Sequence, residues 1–155
     1  MKEIKRILYA TDFSDLSAYA LDYAASLAQR CAAELTCLHV IDDSYQYWLS
    51  MEVTTIPAGP PVDELLAAGR KQLDEFIADK IPDEVRVKTK VLSGRPFVEI
   101  IRFARQQGMD MIVLGTHGRT GLKHVLMGSV AEKVSRKSPC PVLTVRHPGH
   151  PFEMP

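Results

Sequence analysis

The chain carries no surplus of charge: nineteen Lys and Arg balance nineteen Asp and Glu over 155 residues. A general binder of nucleic acid or of an acidic membrane needs a basic excess, so neither class fits. Cysteine is scarce. Cys31, Cys37 and Cys140 form no Cys-x-x-Cys pair, and their odd number points to a reducing cytoplasm rather than a disulfide framework. Cys31 on an apolar helix face and Cys37 within a strand read as core filler. No His/Cys spacing suggests zinc, and no metal held by protein ligands is expected. Long apolar runs are missing as well. The run Ile7-Leu8-Tyr9-Ala10 stops at Thr11-Asp12, too short for a signal peptide or a membrane span. Two common phosphate fingerprints are also absent: Lys123 does not stand in Walker A spacing, and no Gly-x-Gly-x-x-Gly occurs.

What is present is a glycine-rich break after an apolar strand. Met111-Ile112-Val113-Leu114 gives way to Gly115-Thr116-His117-Gly118-Arg119-Thr120-Gly121, and Gly128-Ser129 then opens a helical pattern through Val130, Ala131 and Val134. The spacing is Gly-x2-Gly-x9-Gly-Ser. Glycines let backbone N–H groups approach a ligand, and the helix start adds unpaired donors and a positive dipole end. Phosphate is the natural guest, with Arg119 and Lys123 close in sequence. The competing reading is a loop whose glycines merely end a strand.

Apolar residues make up 46% and charged residues 25%, an ordinary globular balance for a single domain. Strands are expected over residues 5–10, 35–41, 85–92, 111–114 and 142–146. Helices fall between them, with apolar positions such as Ala20, Ala24, Leu27, Ala28 and Cys31 at three- and four-residue intervals. Gly94-Arg95-Pro96 reads as a structural turn into the third helix, which Gly108 closes. Strict alternation predicts an α/β fold: one doubly wound domain, a five-stranded parallel sheet of order 3-2-1-4-5 with helices on both faces. Residues 1–146 form that domain, and 147–155, with three prolines, a loose tail. In such sheets ligands sit where the strand order reverses, here between strands one and four. That crevice brings Ala10-Thr11-Asp12 beside Leu114-Gly115.

Thr11-Asp12-Phe13-Ser14, taken with Gly115-Thr116-His117-Gly118-Arg119 and Gly128-Ser129-Val130, resembles the universal stress protein family over residues 2–146. The glycine spacing is similar to that of its ATP-binding branch. The resemblance implies that Asp12 meets the nucleoside and that Ala10, Thr11 and Val40 line the adenine and ribose pocket beside Leu114. It implies that Gly115, His117, Gly118 and Arg119 surround the phosphates, with Gly128, Ser129 and Val130 meeting them at the helix start. Ala10 stands where the pattern often has proline. The ligand implied is ATP, with AMP and ADP as alternatives, and Mg2+ held through the phosphates. Asp12 could equally cap a turn and Ser129 a helix, since binding and capping use the same geometry.

Efficient catalysis is not expected. No second carboxylate accompanies the phosphate loop, and no Ser-His-Asp or paired-carboxylate pattern stands out. The leading reading is a cytoplasmic nucleotide-dependent stress or signalling module with an unknown protein partner. A slow adenine-nucleotide hydrolase or transferase is the alternative. A receiver-like phosphoacceptor ranks last, because Leu92-Ser93-Gly94-Arg95 offers no acceptor Asp. The loop 42–61, with Tyr45, Tyr47 and Trp48, is either a flap over adenine or a partner surface. Val142 to Val145 should form an edge strand, through which the resemblance implies a homodimer.

Overall fold

Strand and helix alternate through the described residues of a computed structural model, which are 1–43, 60–117 and 127–149. Among the described residues the order is β1 (Arg6–Thr11), α1 (Asp15–Cys31), β2 (Glu34–Asp42), α2 (Val62–Ile77), β3 (Val87–Gly94), α3 (Pro96–Gln106), β4 (Met111–Gly115), α4 (Ser129–Lys137) and β5 (Val142–Val145). All four pairings are parallel and the sheet order is 3-2-1-4-5, as the alternation predicts.

The reversal between β1 and β4 sends the helices to opposite faces. On one face α1 and α2 cover Ile7, Tyr9, Leu35, Cys37 and Val113, with Leu21 and Leu73 fully buried against them. Each such leucine contributes about 2 kcal/mol on leaving water. On the other, α3 and α4 cover Leu8, Ala10, Leu38, Val40, Ile112 and Leu114 through Ile100, Ala104, Ala131 and Val134. Helix α2 comes close to β3 at Gly69, where a Cβ would stand 3.1 Å from Val91 Cγ1.

The helix ends follow local chemistry. Ser14 caps α1, its hydroxyl accepting from the Ser17 N–H. Ala32 turns the chain out of α1 in the left-handed region, with Ala33 N–H donating to the Ala28 carbonyl at 2.9 Å. Pro96 opens α3 and Gly108, at φ +57°, closes it. Cys31, expected in the core, is exposed in the last turn of α1; Cys37 is fully buried. The helical stripe passes through Ala24 and Ala28, and Cys31 falls off its edge.

The amino end of the sheet is fastened by one carboxylate. Asp110 Oδ2 accepts from the N–H groups of Lys5 and Arg6, each at 3.0 Å, and the Asp110 N–H returns a bond to the Arg6 carbonyl. The two backbone donors, Lys5 first, hold the Asp110 carboxyl below its ordinary range. No described helix is long and apolar enough to cross a membrane.

Candidate functional site

The carboxyl ends of β1 and β4 lie side by side, Ala10 opposite Leu114. Ala10, Val40 and Leu114 are buried in the cluster under α3 and α4, and Val130 packs against it. Four of the residues singled out from the sequence thus share one apolar wall at the switch point.

The β1 side of the crevice is a hydrogen-bonded turn. The Ser17 hydroxyl donates to the Ser14 carbonyl at 2.8 Å. Its proton is therefore committed, and the 2.8 Å bond between Ser17 Oγ and Thr11 Oγ1 has Thr11 as donor. Thr11 Oγ1 in turn accepts from the Phe13 N–H at 3.0 Å. Beneath this chain the buried Tyr9 hydroxyl donates to the Ser17 carbonyl at 2.7 Å, and burial raises its pKa well above the usual phenol range. Asp12 Oδ1 accepts from both the N–H and the hydroxyl of Ser14, at 3.1 and 2.6 Å. That carboxylate therefore shapes the turn before α1, the structural role left open by the sequence.

Phe13 takes φ +64°, a conformation that costs a residue with Cβ and persists where neighbours enforce it. The neighbours are aromatic. Its ring lies on His39 with centroids 4.1 Å apart, and edge-on to Phe76 at 5.4 Å. His39 Nδ1 also lies 2.9 Å from the Thr11 carbonyl, so the end of β1 is tied to β2 and α2 together.

On the β4 side, Gly115 pairs with Val145 and passes against the first turn of α1. A Cβ there would stand 3.2 Å from the Leu16 carbonyl oxygen and 3.3 Å from that of His117. Thr116 donates its N–H to the Val145 carbonyl at 2.9 Å, and its hydroxyl lies 3.1 Å from His117 Nδ1. Both side chains are buried. Gly118 and Arg119, with the rest of 118–126, lie outside the described residues, as does the 44–59 portion of the long loop and the tail from residue 150. His147 packs edge-on against Tyr19, 5.1 Å between centroids.

The chain re-enters beside its exit. Gly128 donates its N–H to the Thr116 carbonyl at 2.7 Å. Gly128, not Ser129, is the N-cap of α4; it has no side chain to satisfy the first-turn donors, and Ser129 is an exposed first helical residue. An uncapped helix start with a glycine at its head suits an acceptor-rich ligand such as phosphate.

His39 and Ser17 are not among the residues singled out from the sequence, and Ser14 enters there only as part of the motif Thr11-Asp12-Phe13-Ser14. The Ser-x-x-Ser spacing directly before an apolar helical stripe was the available signal for the serines. For His39 there was none, because its partner is a carbonyl twenty-eight residues away. Among the described residues no cluster of three or more His, Cys, Asp or Glu could hold a metal ion.

The family model for the universal stress protein family matches residues 3–146. The universal stress protein MJ0531 of Methanocaldococcus jannaschii is 37% identical over 147 residues, covering 93% of this chain and 83% of that protein. The solved structure of MJ0577, from the same organism, superposes with a TM-score of 0.75 at 32% identity, covering 94% of this chain and 98% of that one. More distant structures share the fold. A universal stress protein in complex with cAMP has a TM-score of 0.60 at 21% identity, covering 94% and 98% of the two chains. One from Archaeoglobus fulgidus in complex with dAMP has a TM-score of 0.60 at 20% identity, covering 93% and 98%.

Proposed function

This chain belongs to the universal stress protein family, and on that footing we propose that it is a cytoplasmic, ATP-binding member acting as a nucleotide-dependent stress-response or signalling module. One observation carries the reading. The ends of β1 and β4 and the uncapped start of α4 converge at the switch point, with Gly128 bonded to Thr116 across 2.7 Å. Residues 1–146 make up the nucleotide-binding domain. Ala10, Val40 and Leu114 face the base and ribose; Thr11 contributes backbone, its hydroxyl being engaged by Ser17; Asp12 orients the turn beside the nucleoside. Gly115, His117, Gly118, Arg119, Gly128, Ser129 and Val130 serve the phosphates, which carry Mg2+. The adenine nucleotides in the distant cAMP and dAMP complexes support the ligand class.

Turnover is at most slow. Asp12 Oδ1 already takes two hydrogen bonds from Ser14, which suits a turn-former better than a base. Occupancy shifts the population of loop conformations and so changes a surface read by a partner. The test is calorimetric titration of nucleotide-stripped protein with ATP and Mg2+, beside a folded Gly118→Val, Gly128→Val variant. Saturable one-site binding that the variant loses is the expected result. Heatless titration of the wild type would overturn the reading.

A further inference from the structure

Strand β2 serves the crevice from both faces of the sheet, because its side chains alternate. Val40 joins the buried cluster under α3 and α4, whereas His39, one residue earlier, meets Phe13, which packs with the opposite cluster. His39 pairs with Thr11 in the parallel ladder, and its Nδ1 stands 2.9 Å from the Thr11 carbonyl oxygen. A carbonyl oxygen only accepts, so Nδ1 carries the proton and donates. Asp12 therefore lies between two fixed peptide groups. The one before it is held by His39 through the Thr11 carbonyl, and the one after it donates the Phe13 N–H to Thr11 Oγ1 at 3.0 Å. Phe13 then takes φ +64°, which its own Cβ disfavours. Two rings hold it there, His39 at 4.1 Å and Phe76 at 5.4 Å between centroids.

On the nucleotide-binding reading above, we propose that His39 is a positioning residue for the nucleotide: donating from Nδ1 to the Thr11 carbonyl and covering the Phe13 ring, it sets the backbone torsions that present Asp12 to the nucleoside. It acts through Thr11 and Phe13 rather than on the ligand. Without the bond, the peptide before Asp12 samples other torsions, and binding has to meet the entropy of ordering it.

Two measurements use the wild type alone. Long-range proton–nitrogen NMR at neutral pH should show the His39 ring protonated on Nδ1. Phe13 should give the strong intraresidue amide–Hα NOE of a positive φ. A ring protonated on Nε2 alone, or a Phe13 without that NOE, would overturn the proposal, whether or not any variant folds. Substitutions then separate donor from ring, with calorimetry for affinity. His39→Phe keeps an aromatic face for Phe13 but cannot donate. It should weaken ATP and AMP by the same factor, about tenfold, the size of one hydrogen bond lost. His39→Asn places an amide N–H near the position of Nδ1 and should recover most of that loss. A role in stability alone predicts a lower melting temperature for His39→Phe with unchanged affinity well below it, and that result would overturn the proposal. So would a loss confined to ATP, or His39→Asn binding no better than His39→Phe. Wild type that binds neither nucleotide would overturn the nucleotide-binding reading itself, while the tautomer and the NOE would still decide whether His39 holds the turn.

Discussion

Gly128 donates its N–H to the carbonyl of Thr116 over 2.7 Å, joining the head of α4 to the residue just past β4. Its φ of −66° is one that proline adopts without strain. Gly128→Pro therefore removes the donor while keeping the torsion. Melting should show a loss of about 1 kcal/mol, the net worth of one such bond. Calorimetry should show a larger relative loss for ATP than for adenosine, since the helix head serves the phosphates.

Gly115 is small because backbone, not side chain, surrounds it. Carbonyl oxygens of Leu16 and His117 would lie 3.2 and 3.3 Å from any Cβ, and neither can swing aside. Gly115→Ala should cost about 1–3 kcal/mol in urea unfolding, the range for overpacking a tight site.

Ser17 is the acceptor on which the Thr11 hydroxyl depends. Ser17→Ala should cost about 1–3 kcal/mol by leaving that buried hydroxyl without its acceptor. Thr11→Val made together with it should cost less than the two single losses added. Strict additivity in the double-mutant cycle would show that the pair is not coupled.

The Asp110 clamp makes a signed prediction about acid. Its carboxyl titrates lower when folded than the unfolded value of 3.8. The carboxylate's contribution is thus complete above that pH and disappears as pH falls through the lower folded pKa. Asp110→Asn should lower the urea midpoint at pH 7, and the gap from wild type should narrow as pH falls below 3.8 and on through the lower folded pKa. A gap that stays constant would remove the clamp from the account.

Which side of β5 is open can be read from its bonds. The carbonyls of Pro141 and Val145 accept from Ile112 and Thr116, so alternate residues of β5 face β4 and Val142 and Thr144 turn their backbone groups to the outer edge. If that edge pairs with a second copy, light scattering will report a dimer at micromolar concentration. Thr144→Pro, which deletes an outward N–H but none of the β4 ladder, should give a folded monomer.

Much of the fold was legible because each helix carries an apolar stripe and each strand an apolar run, and right-handed crossovers leave few ways to connect them. Ends were less so. Thr11 belongs to β1 because it pairs with His39, a contact with no trace in the local pattern. Helix α2 starts at Val62, ahead of its stripe, since Val62, Asp63 and Glu64 are all exposed. β3 starts only at Val87, because the Val85 N–H is taken by the Pro82 carbonyl in a turn. At the site, the glycine spacing and the pairing of Ala10 with Leu114 follow from sequence and topology. The left-handed Phe13 does not: its conformation is set by His39 and Phe76, which arrive from β2 and α2.

The three cysteines sit at three depths, Cys31 exposed, Cys140 intermediate and Cys37 fully enclosed, with burial pushing the Cys37 thiol up to about 12. Thiolate is the reactive form, so a neutral-pH alkylating reagent meets them in that order. Cys31 reports on surface accessibility in seconds to minutes, while Cys37, between the central sheet and α1, is modified only when the sheet itself opens. The chain thus contains its own unfolding clock, calibrated at one end by a free surface thiol and at the other by a thiol that the whole domain must release.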